Sequence, residues 1–209
     1  MLNHTFRAAL QWAWLLPLRV LFILAGLLVV PVALPFRVTQ GAPQPFTQAV
    51  GEWLLVTLPA WAWYWSNDRD GALGDKRGWW HLNAPFALGC YHWLSMFWWL
   101  AIRNPANNMR FSPLFGCPVT ECEFRYWGQA EVEDDPGKGG WRLLLATHRN
   151  TGRRYYGLYW VWQWSASRAV VVQLGFKGEP SDWTEDYTGD LSGQWKGFTF
   201  EVNPGKNIE

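Results

Sequence analysis

The sequence predicts an α+β protein, with apolar membrane-type helices in the N-terminal half and a small antiparallel β-meander in the C-terminal half. Three observations predict it. The run VLFILAGLLVVPVALPF over 20–36 has no charge and is closed by Arg19 and Arg37. Beyond Glu123, runs rich in aromatic and β-branched residues alternate with short turn sequences. Tryptophan is abundant, 18 in 209 residues, and clusters over 53–99 and 127–195. An indole is apolar in its body and polar at its N–H, so such clusters beside apolar runs suit a membrane interface.

The first element carries Arg7, Trp12 and Trp14 on a short helical stretch that would meet one headgroup region. At ~1.5 Å per helical residue Arg19 and Arg37 stand roughly 27 Å apart, near the ~30 Å hydrocarbon thickness. Both guanidinium groups can then snorkel to headgroups. The run outlasts a typical signal-peptide core, and Pro31, Pro35 and Arg37 spoil a small-residue cleavage site, so a retained anchor spanning 20–36 is expected. VTQGAPQPFTQ follows as a polar, proline-bearing loop. WLLVTLPAWAWYWS is expected as a second, shorter span over 50–66. PFALGCYHWLSMFWWLAI, over 85–102, holds Tyr91, His92 and Ser95 at its middle and is expected as an aromatic helix in the interface. With two crossings, the placement of Arg7, Arg69, Lys76 and Arg77 puts the N-terminus, the charged loop and the C-terminal domain in the cytoplasm.

Two polar motifs interrupt the aromatic region. SNDRDGALGDKRG offers Asn67, Asp68, Arg69, Asp70, Gly71, Gly74, Asp75, Lys76, Arg77 and Gly78. Asp68, Asp70 and Gly71 imitate part of a calcium loop, but its first position is Ser66 and its last, where a bidentate Glu belongs, is Arg77. A self-paired turn explains more, with Asn and Asp side chains bonding nearby N–H groups and glycines supplying positive φ. Trp63, Trp65, Trp79 and Trp80 would flank it as headgroup anchors, and its basic residues could meet anionic lipid. The second motif, Arg103, Asn104, Pro105, Asn107, Asn108 and Arg110, is turn and cap chemistry that ends the aromatic helix. The domain boundaries so predicted are 1–102, a β-domain over 103–203 and a flexible tail over 204–209.

The strands of that domain are EFRYWGQAEVE, WRLLLATHR, RRYYGLYWVWQW and RAVVVQLGFKG, with KGFTFEV as a further one, joined by hairpin-length connections such as NTG and SAS. From Arg103 on, 12 Lys plus Arg face 13 Asp plus Glu, so the basic footprint of a nucleic-acid binder is missing. Cys90, Cys117 and Cys122 are an odd number without a secretory framework, which favours a reducing compartment. CPVTEC has zinc-like spacing, but no second pair follows, so no metal site and no cofactor are expected. His148 has no Ser or Cys nucleophile motif beside it and reads as a strand-end residue. Arg153 and Arg154 beside Tyr155 and Tyr156 read as cross-strand packing with cation–π contacts.

WSNDRDGALGDKRGWW and WLAIRNPANNMRFSPLFG, followed by HRNTGRRYYGLYWVWQWSASRAVVVQLGFKGEP, resemble an uncharacterised family of small proteins encoded by tailed bacteriophages, over residues 61–180. The resemblance implies a phage origin and assigns no catalytic or binding residue. The expectation is a non-enzymatic protein of the host inner membrane, with the lipid bilayer and an unidentified protein as partners. A virion component used in genome delivery is the second reading, and a metal-dependent enzyme using Asp68, Asp70 or His148 the third.

Overall fold

A computed structural model describes residues 2–45, 52–68, 70–74, 79–85, 88–178 and 194–208. It combines a long apolar N-terminal helix with a six-stranded antiparallel sheet, an α+β architecture. The chain divides into two units, one of residues 1–17 and 113–209, the other of residues 18–112. The boundary therefore falls beyond the predicted 102/103, and the first turns of the N-terminal helix belong with the sheet.

Helix α1 (Leu2–Ala33) continues through Pro17 and Pro31 and ends in a 3-10 turn, Leu34–Phe36. In the second unit β1 (Val38–Pro45) pairs antiparallel with β2 (Glu52–Thr57). The predicted loop is thus largely a strand, and the run expected to span as a helix over 50–66 is β2 followed by a 3-10 helix, Ala60–Trp65. Val56 and Thr57 are β-branched and find a ladder in β1, while Pro59 cannot continue a helix. A short helix α2 (Trp79–Asn83) follows. The aromatic helix is shorter than 85–102: α3 (Trp93–Phe97) starts only where the His92 side chain accepts from Leu94 N at 3.2 Å, and it runs into a π-helical turn, Trp98–Arg103. Gly89, at positive φ (69°), stands in non-helical backbone ahead of α3. The core of this unit joins Val30, Ala33 and Leu34 to Leu58, Leu73, Trp80, Met96, Trp99 and Leu100.

In the first unit the strands are β3 (Gly116–Pro118), β4 (Cys122–Gly128), β5 (Gly140–His148), β6 (Arg154–Gln163), β7 (Arg168–Phe176) and β8 (Trp195–Asn207), in the spatial order β3-β8-β7-β6-β5-β4. The meander from β4 to β8 follows the predicted runs, and β3 adds an edge. Register alternation puts Leu143, Leu145 and Tyr156 on one face, where Ala8 of α1 packs with Trp12 and Trp127. Val161, Val171 and Ala169 cover Val132 and Ile208 in a second cluster. At Gly175 (φ 93) β7 departs from β6, and a Cβ there would lie 2.5 Å from the Trp12 Nε1. Side chains of α1 take over at Tyr156. Gln11 accepts from Tyr156 N at 3.0 Å and donates to Arg154 O at 2.7 Å, while Trp12 Nε1 donates to Tyr156 O at 3.1 Å.

The segment expected as a flexible tail is part of β8 as far as Asn207. Arg168 pairs with Asn207, Ile208 N donates to Ser167 O at 3.0 Å, and the Ile208 side chain is buried. Ile208→Ala is expected to cost about 2–5 kcal/mol, the usual range for a buried aliphatic truncation. Removal of 204–209 should lower the melting temperature of the detergent-solubilised chain; circular dichroism melts check both, and a flexible tail would leave them unchanged.

Candidate functional site

The two polar motifs meet in the second unit. Asn108, fully buried, carries the junction: its Oδ1 accepts from Asp68 N at 2.8 Å, its Nδ2 donates to Trp63 O at 3.1 Å, and its N–H donates to Ser66 O at 3.2 Å. Arg110 of the second motif forms an ion pair with the Asp68 carboxylate, and its guanidinium lies over the Phe111 ring at 5.0 Å. Asn67 and Asp70 close the turn on themselves. Asp70 N donates to Asn67 Oδ1 at 3.1 Å, Asn67 Nδ2 to Asp70 Oδ2 at 3.3 Å, and Gly71 N to Asn67 O at 2.9 Å. Gly71 (φ 68) passes under β2, where an added Cβ would stand 2.7 Å from Val56 O. Gly74 is also at positive φ, 108°. Arg69, Asp75, Lys76, Arg77 and Gly78 lie outside the described residues.

Among its described residues the self-paired turn is also held from outside itself. Asp68 pairs with Arg110, a partner 42 residues away. The π-helical turn that carries Arg103 brings the Trp99 indole to donate to Gly71 O at 3.1 Å, and Asn104 N closes that turn on Trp99 O at 2.8 Å. Ala106 sits in the left-handed region (φ 48, ψ 49), which leaves its carbonyl and that of Pro105 facing Arg19. Arg19 donates to both, at 2.8 and 3.0 Å. This corrects one expectation: the Arg19 guanidinium serves the second motif and does not snorkel. A second correction concerns the flanking tryptophans. Trp80 is buried in the core, and Trp65 donates from Nε1 to Phe22 O at 2.8 Å over Gly26, where a Cβ would meet the indole at 2.8 Å. Asn107 opens the 3-10 turn Asn107–Phe111.

Arg19 and Ser66 were missed as members of this network. Ser66 is fully buried and its Oγ accepts from Leu58 N at 3.2 Å. The one signal in the sequence was the position of Arg19 at the edge of an apolar run. Chemically the junction is a lock, because each acidic oxygen named above already has a donor from the chain. Among the described residues no group of three His, Cys, Asp or Glu side chains could hold a metal ion.

The other polar cluster surrounds the turn between the two edge strands of the sheet. A 3-10 turn, Val119–Glu121, joins β3 to β4. Arg149 holds this turn, donating to Thr120 O and Cys122 O at 3.2 Å each, while its N–H reaches Glu121 O at 2.9 Å. His148 Nε2 lies 3.1 Å from Glu121 Oε2, and its Nδ1 accepts from Asn150 N at 3.2 Å, so the histidine is spent on the hairpin turn. Arg153 donates to Leu114 O and stands 5.1 Å over the Tyr155 ring. Tyr155 in turn meets Phe176 edge-on at 4.9 Å.

These features define a class: an α+β protein with an apolar N-terminal helix, a two-motif polar lock and a six-stranded antiparallel sheet. The chain belongs to a family of unknown function, DUF7338, whose model matches residues 4–209. No curated protein and no solved structure matches it.

Asn108→Ala strands the Asp68 N–H and the Trp63 carbonyl, and is expected to cost about 2–4 kcal/mol. Asn107→Ala should cost much less, and equilibrium unfolding in detergent compares the two. A separate expectation concerns alkaline pH. Burial pushes the Tyr155 phenol up to about 12, opposed by the Arg153 guanidinium. In the unfolded chain the phenol ionises near ~10, so its contribution holds below that pH and is lost as the pH rises toward the folded value. Urea midpoints at successive alkaline pH values should fall for the wild type, and the Tyr155→Phe variant should lack that part of the fall.

Proposed function

We propose that the chain is a phage-encoded, non-enzymatic protein seated in one leaflet of the host inner membrane, with its sheet on the cytoplasmic side to meet a protein partner. The observation that carries this reading is the outward face of α1 in the second unit. Val20, Leu21, Leu24, Leu27, Leu28 and Val32 are exposed, while Val30, Ala33 and Gly26 face the core. The helix is long and apolar enough to cross a membrane, and only 17% of its apolar window is buried. A core helix of that composition would be mostly buried.

One-leaflet seating is favoured over crossing because the same helix carries protein along one side, through Trp65 at Phe22 and through Arg19 at Pro105 and Ala106. A helix so covered keeps only its other side for lipid. Trp61, Tyr64, Tyr91, Trp93 and Trp98 add exposed aromatic rings to the same unit, suited to the headgroup level. On the sheet, Trp141, Trp160, Val172 and Val202 stand in one row across four strands, an apolar strip without charge that suits a protein partner. The phage origin rests on the two motifs quoted above. The non-enzymatic reading rests on the spent carboxylates of the lock.

Wild-type chain in infected cells should stay with the membrane through carbonate extraction and leave it in detergent. Leu24→Glu combined with Leu28→Glu should move most of the chain to the soluble fraction, because a carboxylate in hydrocarbon costs about 2.5–3.5 kcal/mol on insertion scales. Recovery of the wild type without detergent would overturn the membrane seat, and stoichiometric presence in purified particles would assign the chain to the virion.

A further inference from the structure

The order β3-β8-β7-β6-β5-β4 leaves β3 and β4 as the two edges of the sheet, yet they follow one another in sequence through a three-residue turn. The sheet must curl until its edges meet there. No ladder joins them among the described pairings. At this seam stand Cys117 of β3 and Cys122 of β4, both buried, with their sulfurs 3.9 Å apart. Phe115, Phe198 and Phe176 form a chain of ring contacts beside the seam, and Tyr155 continues it. The backbone on either side is fixed: Phe198 N donates to Phe115 O at 2.8 Å, and Arg149 holds Cys122 O. Cys90 belongs to the other unit.

We propose that Cys117 and Cys122 are a disulfide site, a dithiol in a reducing compartment and a covalent closure of the sheet's seam wherever a low-molecular-weight disulfide is the prevailing oxidant. The sulfurs must approach from 3.9 Å to the ~2.05 Å bond length, a change that side-chain rotation within a fixed turn can supply. Access comes through β3, an edge strand whose ladder to β8 has three residue pairs among the described residues and which can fray without unfolding the meander. The step is a thiol–disulfide exchange. The Cys122 thiolate attacks one sulfur of the oxidant and expels a thiolate; Cys117, losing its proton, then displaces the second thiolate from the Cys122 sulfur. The protein loses two electrons and two protons, and the oxidant becomes two thiols. Cys122 is the better attacking group, since the hydrogen bond from Cys117 holds its pKa below the usual thiol value against the opposing effect of burial. The proposal is independent of the membrane seat.

The test uses the full-length chain in detergent, incubated with oxidised glutathione, then unfolded, alkylated and digested with trypsin. The peptide 111–125, which holds both cysteines, should become lighter by two hydrogens and lose both alkylation sites, while Cys90 stays alkylatable. The oxidised chain should melt at a higher temperature than the reduced one, because cross-linking restricts the unfolded chain, and a reductant should reverse this. The Cys90→Ala variant should behave in the same way. Three alkylatable thiols after oxidation, a lasting glutathione adduct on either seam cysteine, or a bond involving Cys90 would overturn the proposal.

Discussion

Helix α1 buries Ala8 against Leu143, Leu145 and Tyr156 in the sheet unit, and Val30 and Ala33 in the core of the second unit. Two hydrophobic cores therefore depend on one helix. Each takes only the side of the helix that faces it, partly through small residues, Ala8 beside Tyr156, Gly26 under the Trp65 indole and Ala33 beside Leu34, and partly through the buried Leu15 and Val30. Other large residues, Leu21, Leu24, Leu28 and Val32, are left on the outside. In water that surface would be a severe aggregation hazard, and in hydrocarbon it is favourable at roughly 25 cal/mol per Å² of apolar area removed from water.

The polar lock follows from the same packing problem. The second unit has few long regular elements among its described residues, so many backbone groups need partners from side chains. Asn108, Arg19 and the Trp65 and Trp99 indoles supply them, each reaching a backbone atom far along the chain, and Ser66 supplies Leu58 N eight residues back. Buried polar groups of this kind are costly unless satisfied, so the two motifs need one another. The same logic explains why Asp68 and Asp70, which look like ligands in isolation, are tied to Arg110 and Asn67.

Much of the sheet was legible because strand period and turn chemistry are local. RRYYGLYWVWQW and RAVVVQLGFKG fall on β6 and β7 within a residue or two at each end. The helix was legible as well, from the absence of charge over 20–36, although it begins at Leu2. What the sequence concealed was long-range. Residues 50–66 are apolar enough for a helix, but β1 supplies a strand partner, and Pro59 divides the run. The last residues look like a polar tail until Ile208 finds Val161 and Ala169. The SNDRD and RNPANN motifs each announced a turn; that Asn108 joins them depends on a pairing 40 residues apart, which no local pattern encodes.

The central claim is that α1 lies along one side of the membrane with both ends on the same face. Single cysteines introduced at Asn3 and at Thr39, both exposed, test it against an impermeant maleimide. The three native cysteines are buried and give a low background. One-leaflet seating predicts that both positions label in inverted membrane vesicles and neither in intact spheroplasts. Labelling of one position from each side would mean that the helix crosses the bilayer and would contradict the account.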